Sequence, residues 1–242
     1  MNETFDIEKL HPITRNLLKK RGLIENDEVC DFLNPSYEKH IGDPFAIHGV
    51  SEAVDRIMSA MRKGEKIAVY SDYDCDGVPG GVLLRSFFDD IGYPVEMYIP
   101  HRHNEGYGIH VHAVDALKAK GVTLIITVDL AITNIEEIAY AKTIGVDFIV
   151  TDHHLPIHRS ALPEDYDGKG VIVGSQVVPD AVAVINSKQD VCTYTDDMLC
   201  GCAVAWKLSC ALLSKLRNEG VSEIVDEKVK VLPIGYEKWM LD

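Results

Sequence analysis

The chain has 242 residues, 46% of them hydrophobic and 26% charged. These are the proportions of a folded domain, or of one domain with an appendage, and they exclude wholesale disorder, collagen and coiled coil. Lys and Arg number 24 against 38 Asp and Glu, a net charge of −14, which excludes a clamp that grips nucleic acid by overall basic charge and makes an anionic ligand depend on metal ions or a local basic patch.

The N-terminus, Met1-Asn2-Glu3-Thr4-Phe5-Asp6, is acidic where a secretory signal would be basic and then apolar. No stretch approaches the ~18 apolar residues of a membrane span. Residues 1–49 form a helical N-terminal segment in this reading. Ile13 to Lys20 and Asn26 to Leu33 are two short helices, punctuated by Gly22 and by Asn34-Pro35.

A regular pattern occupies residues 50–242. Val54, Ile57, Met58 and Met61 recur at helical spacing before Gly64. The run Ile67 to Tyr70 reads as a strand, Val82 to Ile91 as a helix and Val95 to Ile99 as a second strand. A helix over Val111 to Lys120 leads to a third strand, Leu124 to Val128. A helix over Ile135 to Ile144 leads to a fourth, centred on Phe148 to Val150. The polar stretch Pro163 to Gly174 reads as a surface loop, Ala181 to Ile185 as a fifth strand, and Cys200 to Leu216 as a long helix. Short continuous apolar strands alternating with helices imply an α/β fold: a doubly wound, mostly parallel five-stranded sheet with helices on both faces. The six cysteines read as reduced intracellular thiols. Cys192, Cys200, Cys202 and Cys210 match no standard zinc spacing.

Ligands of open parallel sheets bind outside the carboxyl ends of the strands. Ser71-Asp72-Tyr73-Asp74-Cys75-Asp76-Gly77 follows the first strand, Asp129 ends the third, and Asp152-His153-His154 follows the fourth. Asp129 alone could be a helix cap. The Asp72–Gly77 run also opens like an EF-hand loop, but position 12 is Leu83 and a strand precedes it. Five carboxylates gathered at one edge repel one another unless cations join them. Hard oxygen donors with one or two imidazoles suit Mn²⁺ or Mg²⁺ better than zinc, and such clusters commonly hold two ions.

These residues resemble a known family. Asp152-His153-His154 is similar to the signature of the DHH phosphoesterase superfamily, and Asp72 through Gly77 resembles its first motif in the form of RecJ-type single-strand-specific exonucleases. Ile99 through Gly108, Val128 through Thr133, Val184-Ile185-Asn186, Leu199-Cys200-Gly201 and Trp206-Lys207-Leu208 resemble further RecJ stretches. The resemblance implies metal-dependent hydrolysis of single-stranded DNA, with 5′-mononucleotides released from the 5′ end. It implies two Mn²⁺ or Mg²⁺ ions held by Asp74, Asp76, Asp129 and His153, with Asp76 or Asp129 bridging. Asp72, Asp152 and His154 would orient ligands or touch the scissile phosphate. Arg102 would hold a DNA phosphate, with the flanking His101 and His103 adding partial charge. Gly106 and Gly108 would let backbone approach the strand, and Tyr107 would stack a base. A cytoplasmic location and replication or repair partners go with the family. Two alternatives stay open: a small-substrate phosphatase or nanoRNase of the same superfamily, and a non-catalytic binding protein on the same fold.

Four departures are notable. Ser71, Ala131 and Ala203 stand where the RecJ form has glycine. Trp239 through Asp242 resembles the lead-in to a last acidic motif that would add one more ligand, so the reading expects a domain incomplete at its C-terminal end.

Overall fold

A computed structural model describes residues 6–164, 166, 168–196, 198–224, 226 and 228–241. Asp242, the last residue of the C-terminal motif, and Asp165 and Asp167 of the polar stretch lie outside them. Contacts divide the chain into Met1–Asp43 and Pro44–Asp242, so residues 44–49 go with the larger unit rather than with the helical segment.

The smaller unit contains α1 (Pro12–Lys20), α2 (Asn26–Leu33) and α3 (Tyr37–His40). Pro12 opens α1 where its missing N–H is not needed. The Ser36 hydroxyl accepts from the Lys39 amide and caps α3. Within the unit the Ile7 amide donates to Asn26 Oδ1, and Lys39 pairs with Asp31.

The larger unit runs α4 (Val50–Lys63), β1 (Lys66–Ser71), α5 (Gly77–Asp90), β2 (Glu96–Tyr98), α6 (Val111–Ala119) and β3 (Val122–Val128). Then come α7 (Ile135–Thr143), β4 (Asp147–Thr151), β5 (Ile157–His158), β6 (Val171–Val173), β7 (Gln176–Val178), β8 (Ala183–Ile185), α8 (Gly201–Glu219) and α9 (Tyr236–Trp239). The main sheet has the order β2-β1-β3-β4-β8, and every pair is parallel. The chain leaves β1 to one side for β2 and then crosses back to β3, so strand order reverses between β1 and β3. This is where open α/β sheets leave a crevice.

Alternation along the strands feeds two cores. Ile67 and Val69 of β1 and Leu124 and Ile126 of β3 pack under α4, α5 and α8. Ala68 and Tyr70, with Ile125 and Phe148, pack under α6 and α7. The doubly wound sheet with helices on both faces is therefore present. Where the strands are buried on both sides the sequence reads as unbroken apolar runs, which is why they were legible.

The short elements α3, α9, β5 and β7 have no counterpart in the sequence reading, and two further differences are instructive. The helix placed at Val82 begins at Gly77. Gly77, Pro79, Gly80 and Gly81 read as breakers, yet the glycines are required by close packing. A Cβ on Gly80 would lie 2.7 Å from Val128 Cγ1, and one on Gly81 2.6 Å from Ser71 Oγ. The stretch read as a surface loop over Pro163–Gly174 contains β6, part of a small antiparallel sheet of order β5-β7-β6. Strands of two or three residues are too short to show a period.

Candidate metal centre

The main ladder continues one residue past each strand. The Asp72 amide donates to Val128 O, the Asp129 amide to Thr151 O, and the Asp152 amide to Ile185 O. Asp72, Asp129 and Asp152 thus share the carboxyl edge, with the first two at the reversal point. All three are buried, at 3%, 1% and 0% exposure.

Each carboxylate has a different occupation. Asp152 is fully engaged with its surroundings. Its Oδ2 accepts from the Ile132 amide at 2.9 Å. Its Oδ1 accepts from the His153 and His154 amides and faces His154 Nδ1 at 2.8 Å. It fixes both turns and orients the second imidazole, whose pKa it raises by this hydrogen bond. For Asp74, burial favours the neutral acid, but amide hydrogen bonds from Gly77 and Asp76 outweigh it and hold the carboxyl below its ordinary range.

Asp76 spans the crevice. Its Oδ2 accepts from the Gly201 amide at 2.6 Å and its Oδ1 from the Cys202 amide at 2.7 Å, so it caps α8 from across the chain. His153 Nε2 lies 3.5 Å from its Oδ2.

Asp129 is the least satisfied. Neither buried oxygen accepts an aligned hydrogen bond, and one buried oxygen of Asp72 is likewise without a partner. His153 Nε2 lies 3.1 Å from Asp129 Oδ1. Burial, with the Asp76 and Asp74 charges beside it, pushes the Asp129 carboxyl up to about 8. Burial also raises Asp72 and lowers His153. A buried carboxylate without donors is costly unless it is protonated or meets a cation.

Two sets of ligand atoms converge within 4.8 Å: Asp72, Asp74 and Asp129, and Asp129, His153 and His154. Asp129 belongs to both. Gly201 makes room for it, since a Cβ there would sit 2.5 Å from Asp129 Oδ1. Among the described residues no cysteine enters such a set.

The segment after β2 reaches the same edge. The Arg102 guanidinium lies 4.1 Å from the Tyr73 ring centroid, and its Nη2 donates to Tyr73 O at 3.4 Å. The Tyr107 hydroxyl donates to Asp129 O at 3.2 Å and lies 3.2 Å from His154 Nδ1. Gly106 and Gly108 have φ of +85° and +101°, which glycine adopts without strain. His103 is exposed, its ring 6.0 Å from that of His101, and no contact joins it to the acidic cluster among the described residues. Glu105 anchors the loop by accepting from the His101 amide and the Tyr98 hydroxyl.

Of the three positions departing from glycine, only Ala131 takes positive φ, at +95°; Asp129, two residues earlier, takes +63°. Ser71 ends β1 and Ala203 lies inside α8. The sequence reading named Asn186 only within the Val184-Ile185-Asn186 stretch and gave no role to it or to Lys188. The Asn186 amide nitrogen donates to His154 O at 2.8 Å, and its Oδ1 accepts from the Lys188 amide. Their place just after the fifth strand was the available signal.

A cleft of about 840 Å³ lined by Lys66, Arg85, Tyr93 and Glu96 lies at the amino ends of β1 and β2, on the other edge of the sheet. Among the described residues it gathers no set of converging ligand atoms. No helix among the described residues is long and apolar enough to cross a membrane.

The profile of the DHH family, N-terminal domain, matches residues 66–232. The single-stranded-DNA-specific exonuclease RecJ of Bacillus subtilis (strain 168) is 38% identical over 214 residues, 88% of this chain and 25% of that protein. A crystal structure of an exonuclease RecJ bound to manganese superposes with a TM-score of 0.57 at 31% identity, over 70% of this chain and 38% of that one. A RecJ from Thermus thermophilus in complex with Mn²⁺ superposes with a TM-score of 0.61 over 89% of this chain and 27% of that one; at 24% identity this is a likeness of fold. The chain spans about a quarter of the Bacillus relative's length. With its profile matched across the sheet, the acidic turn and the Asp-His-His segment, the chain belongs to the DHH family.

Proposed function

We propose that this chain carries the metal-dependent phosphodiester-hydrolysing centre of a RecJ-type exonuclease, acting on single-stranded DNA from the 5′ end and releasing 5′-mononucleotides. The observation that carries this reading is Asp129: a buried carboxylate shared by two ligand sets, with neither oxygen satisfied by a hydrogen bond. The names and manganese content of the relatives agree with it.

The donor set fits hard divalent cations, because carboxylates dominate and imidazoles complete it. Asp74, Asp76, Asp129 and His153 would hold two Mn²⁺ or Mg²⁺ ions. Of Asp76 and Asp129, Asp129 would be the residue shared by both ions, because it belongs to both converging sets while both Asp76 oxygens already accept α8 amides. When bound, such ions supply Lewis-acid polarisation of a phosphate and lower the pKa of water. The protein's part is to hold the geometry. Asp152 locks the His153–His154 turn, and Asp72 keeps a buried oxygen toward the set containing Asp74 and Asp129. Arg102, backed by Tyr73, is a planar fork suited to a phosphate. Gly106, Tyr107 and Gly108 would line the path of a strand, and His103, exposed on the same loop, would add partial charge. We infer a cytoplasmic location from the same reading.

The test is Mn²⁺-dependent release of mononucleotides from a 5′-phosphorylated single-stranded oligonucleotide, with Asp129→Asn as control. Asparagine tolerates the left-handed backbone, so the fold is kept while the charge is removed. Release by the parent and none by the variant is the expected result. Faster turnover of a dinucleotide than of a long strand would replace the exonuclease by a small-substrate phosphatase. Mn²⁺ uptake with no hydrolysis of either substrate would overturn catalysis by this chain.

A further inference from the structure

Beside the His153–His154 pair lies an open cleft of about 540 Å³, lined by Leu155, Ser187, Lys188, Gln189, Tyr194 and Thr195 among others. That volume is in the range of sites that hold a small ligand. Leu155 directly follows His154 and is 73% exposed, so its apolar side chain is open to the cleft. The opposite wall is tied to the centre through Asn186, which bonds His154 O on one side and the Lys188 amide on the other.

Three features of this cleft point to a ligand. Lys188 is half-buried, and among the described residues its ammonium makes no hydrogen bond or ion pair. A half-buried cation on the cleft wall offers its charge to an anionic ligand. Ser187, only 5% exposed, has a hydroxyl without a hydrogen-bond partner. Tyr194 is held by the Lys207 ammonium, 5.1 Å from its ring centroid, and so offers a fixed aromatic surface. The acidic residue of the lining, Asp190, is engaged by the Ser175 amide and hydroxyl. The anionic part of a ligand therefore belongs at the Lys188 end, next to His154, and its apolar part between Leu155 and Tyr194.

We propose that this cleft is a nucleotide subsite, in which Lys188 holds the phosphate next to the scissile one and Leu155 and Tyr194 pack against that nucleotide's sugar and base. The inference rests on the hydrolytic reading of the neighbouring centre. It adds a contact to a substrate strand that Arg102 alone, on the β2 side, cannot supply.

The experiment measures binding of a single-stranded 12-mer, labelled at its 3′ end with fluorescein, to the whole chain by anisotropy between 50 and 200 mM NaCl. Asp129→Asn is the background, so that hydrolysis does not intervene. Each phosphate contact on a single strand contributes about 0.7 to the slope of log Kd against log salt. Lys188→Gln should lower the slope by about that amount, and Lys188→Arg should restore it. Tyr194→Ala should weaken binding about tenfold, a stacking loss, without changing the slope. Mn²⁺ affinity, measured in the Asp129-containing chain, should stay within twofold for both variants. An unchanged slope in Lys188→Gln, with the parent binding normally, overturns the subsite and leaves the hydrolytic reading intact. Loss of Mn²⁺ affinity in Lys188→Gln also overturns it, because Lys188 would then act on the metal centre. A parent that takes up Mn²⁺ but binds no single strand overturns both.

Discussion

Asp129 combines a strained backbone with a buried, unsatisfied carboxylate. A left-handed conformation on a non-glycine residue costs about 1–3 kcal/mol and persists only where its surroundings enforce it. Here the Tyr107 hydroxyl holds the Asp129 carbonyl, and the ladder bond to Thr151 holds its amide. Tyr107→Phe keeps the ring and removes that bond. We expect it to cost about 1 kcal/mol in urea unfolding and to weaken Mn²⁺ binding, with oligonucleotide affinity measured in the Asp129→Asn background unchanged. If only oligonucleotide affinity falls, Tyr107 serves the substrate and not Asp129. At Ala131 the positive φ has no compensating side-chain chemistry. Ala131→Gly should therefore raise stability by about 1 kcal/mol, read as a higher midpoint in the same unfolding experiment.

At the scale of elements, the first turn of α8 and the Asp72–Gly77 turn are held together by one carboxylate. Asp76→Ala removes the acceptor of two amides and should cost about 1–2 kcal/mol, while Asp76→Asn, whose single oxygen can accept only one of those two amides, should recover only part of that loss. Comparing the two by thermal unfolding separates capping from any loss of cation binding, which both variants would share. This contact shows why part of the site was not legible in the sequence. The acidic turn and the Asp-His-His segment stand out because strand ends are recognisable and their residues are adjacent in the chain. The link from Asp76 to Gly201 joins residues 125 apart, and nothing local marks it. The same holds for Lys188, which only the order of strands brings beside His154. The start of α5 was hidden for a different reason. Its glycines serve close approach to Val128, Cys202 and Ser71 rather than a turn, and composition alone cannot distinguish those uses.

For the molecule as a whole, the acidic edge makes stability depend on pH and on cations together. The Asp129 carboxyl sits at about 8 in the fold and near 3.8 when unfolded. Between those values the folded chain holds a proton that the unfolded chain has lost, so the contribution of this one group to stability is fully present below about 4 and is lost as pH rises through about 8. Asp72 is shifted in the same direction. A divalent cation replaces that proton. Mn²⁺ should accordingly raise Tm more at pH 8 than at pH 6, and Asp129→Asn should flatten the pH dependence of the metal-free chain; calorimetry at the two pH values, with and without Mn²⁺, checks both. Asp76 extends the same electrostatics to the longest helix. Its two oxygens are the acceptors for the Gly201 and Cys202 amide protons, so any change of charge at the strand ends alters the field on those two N–H groups. Their resonances are built-in reporters: loading of the acidic edge can be followed, residue by residue, on a helix whose own side chains enter neither set of converging ligand atoms.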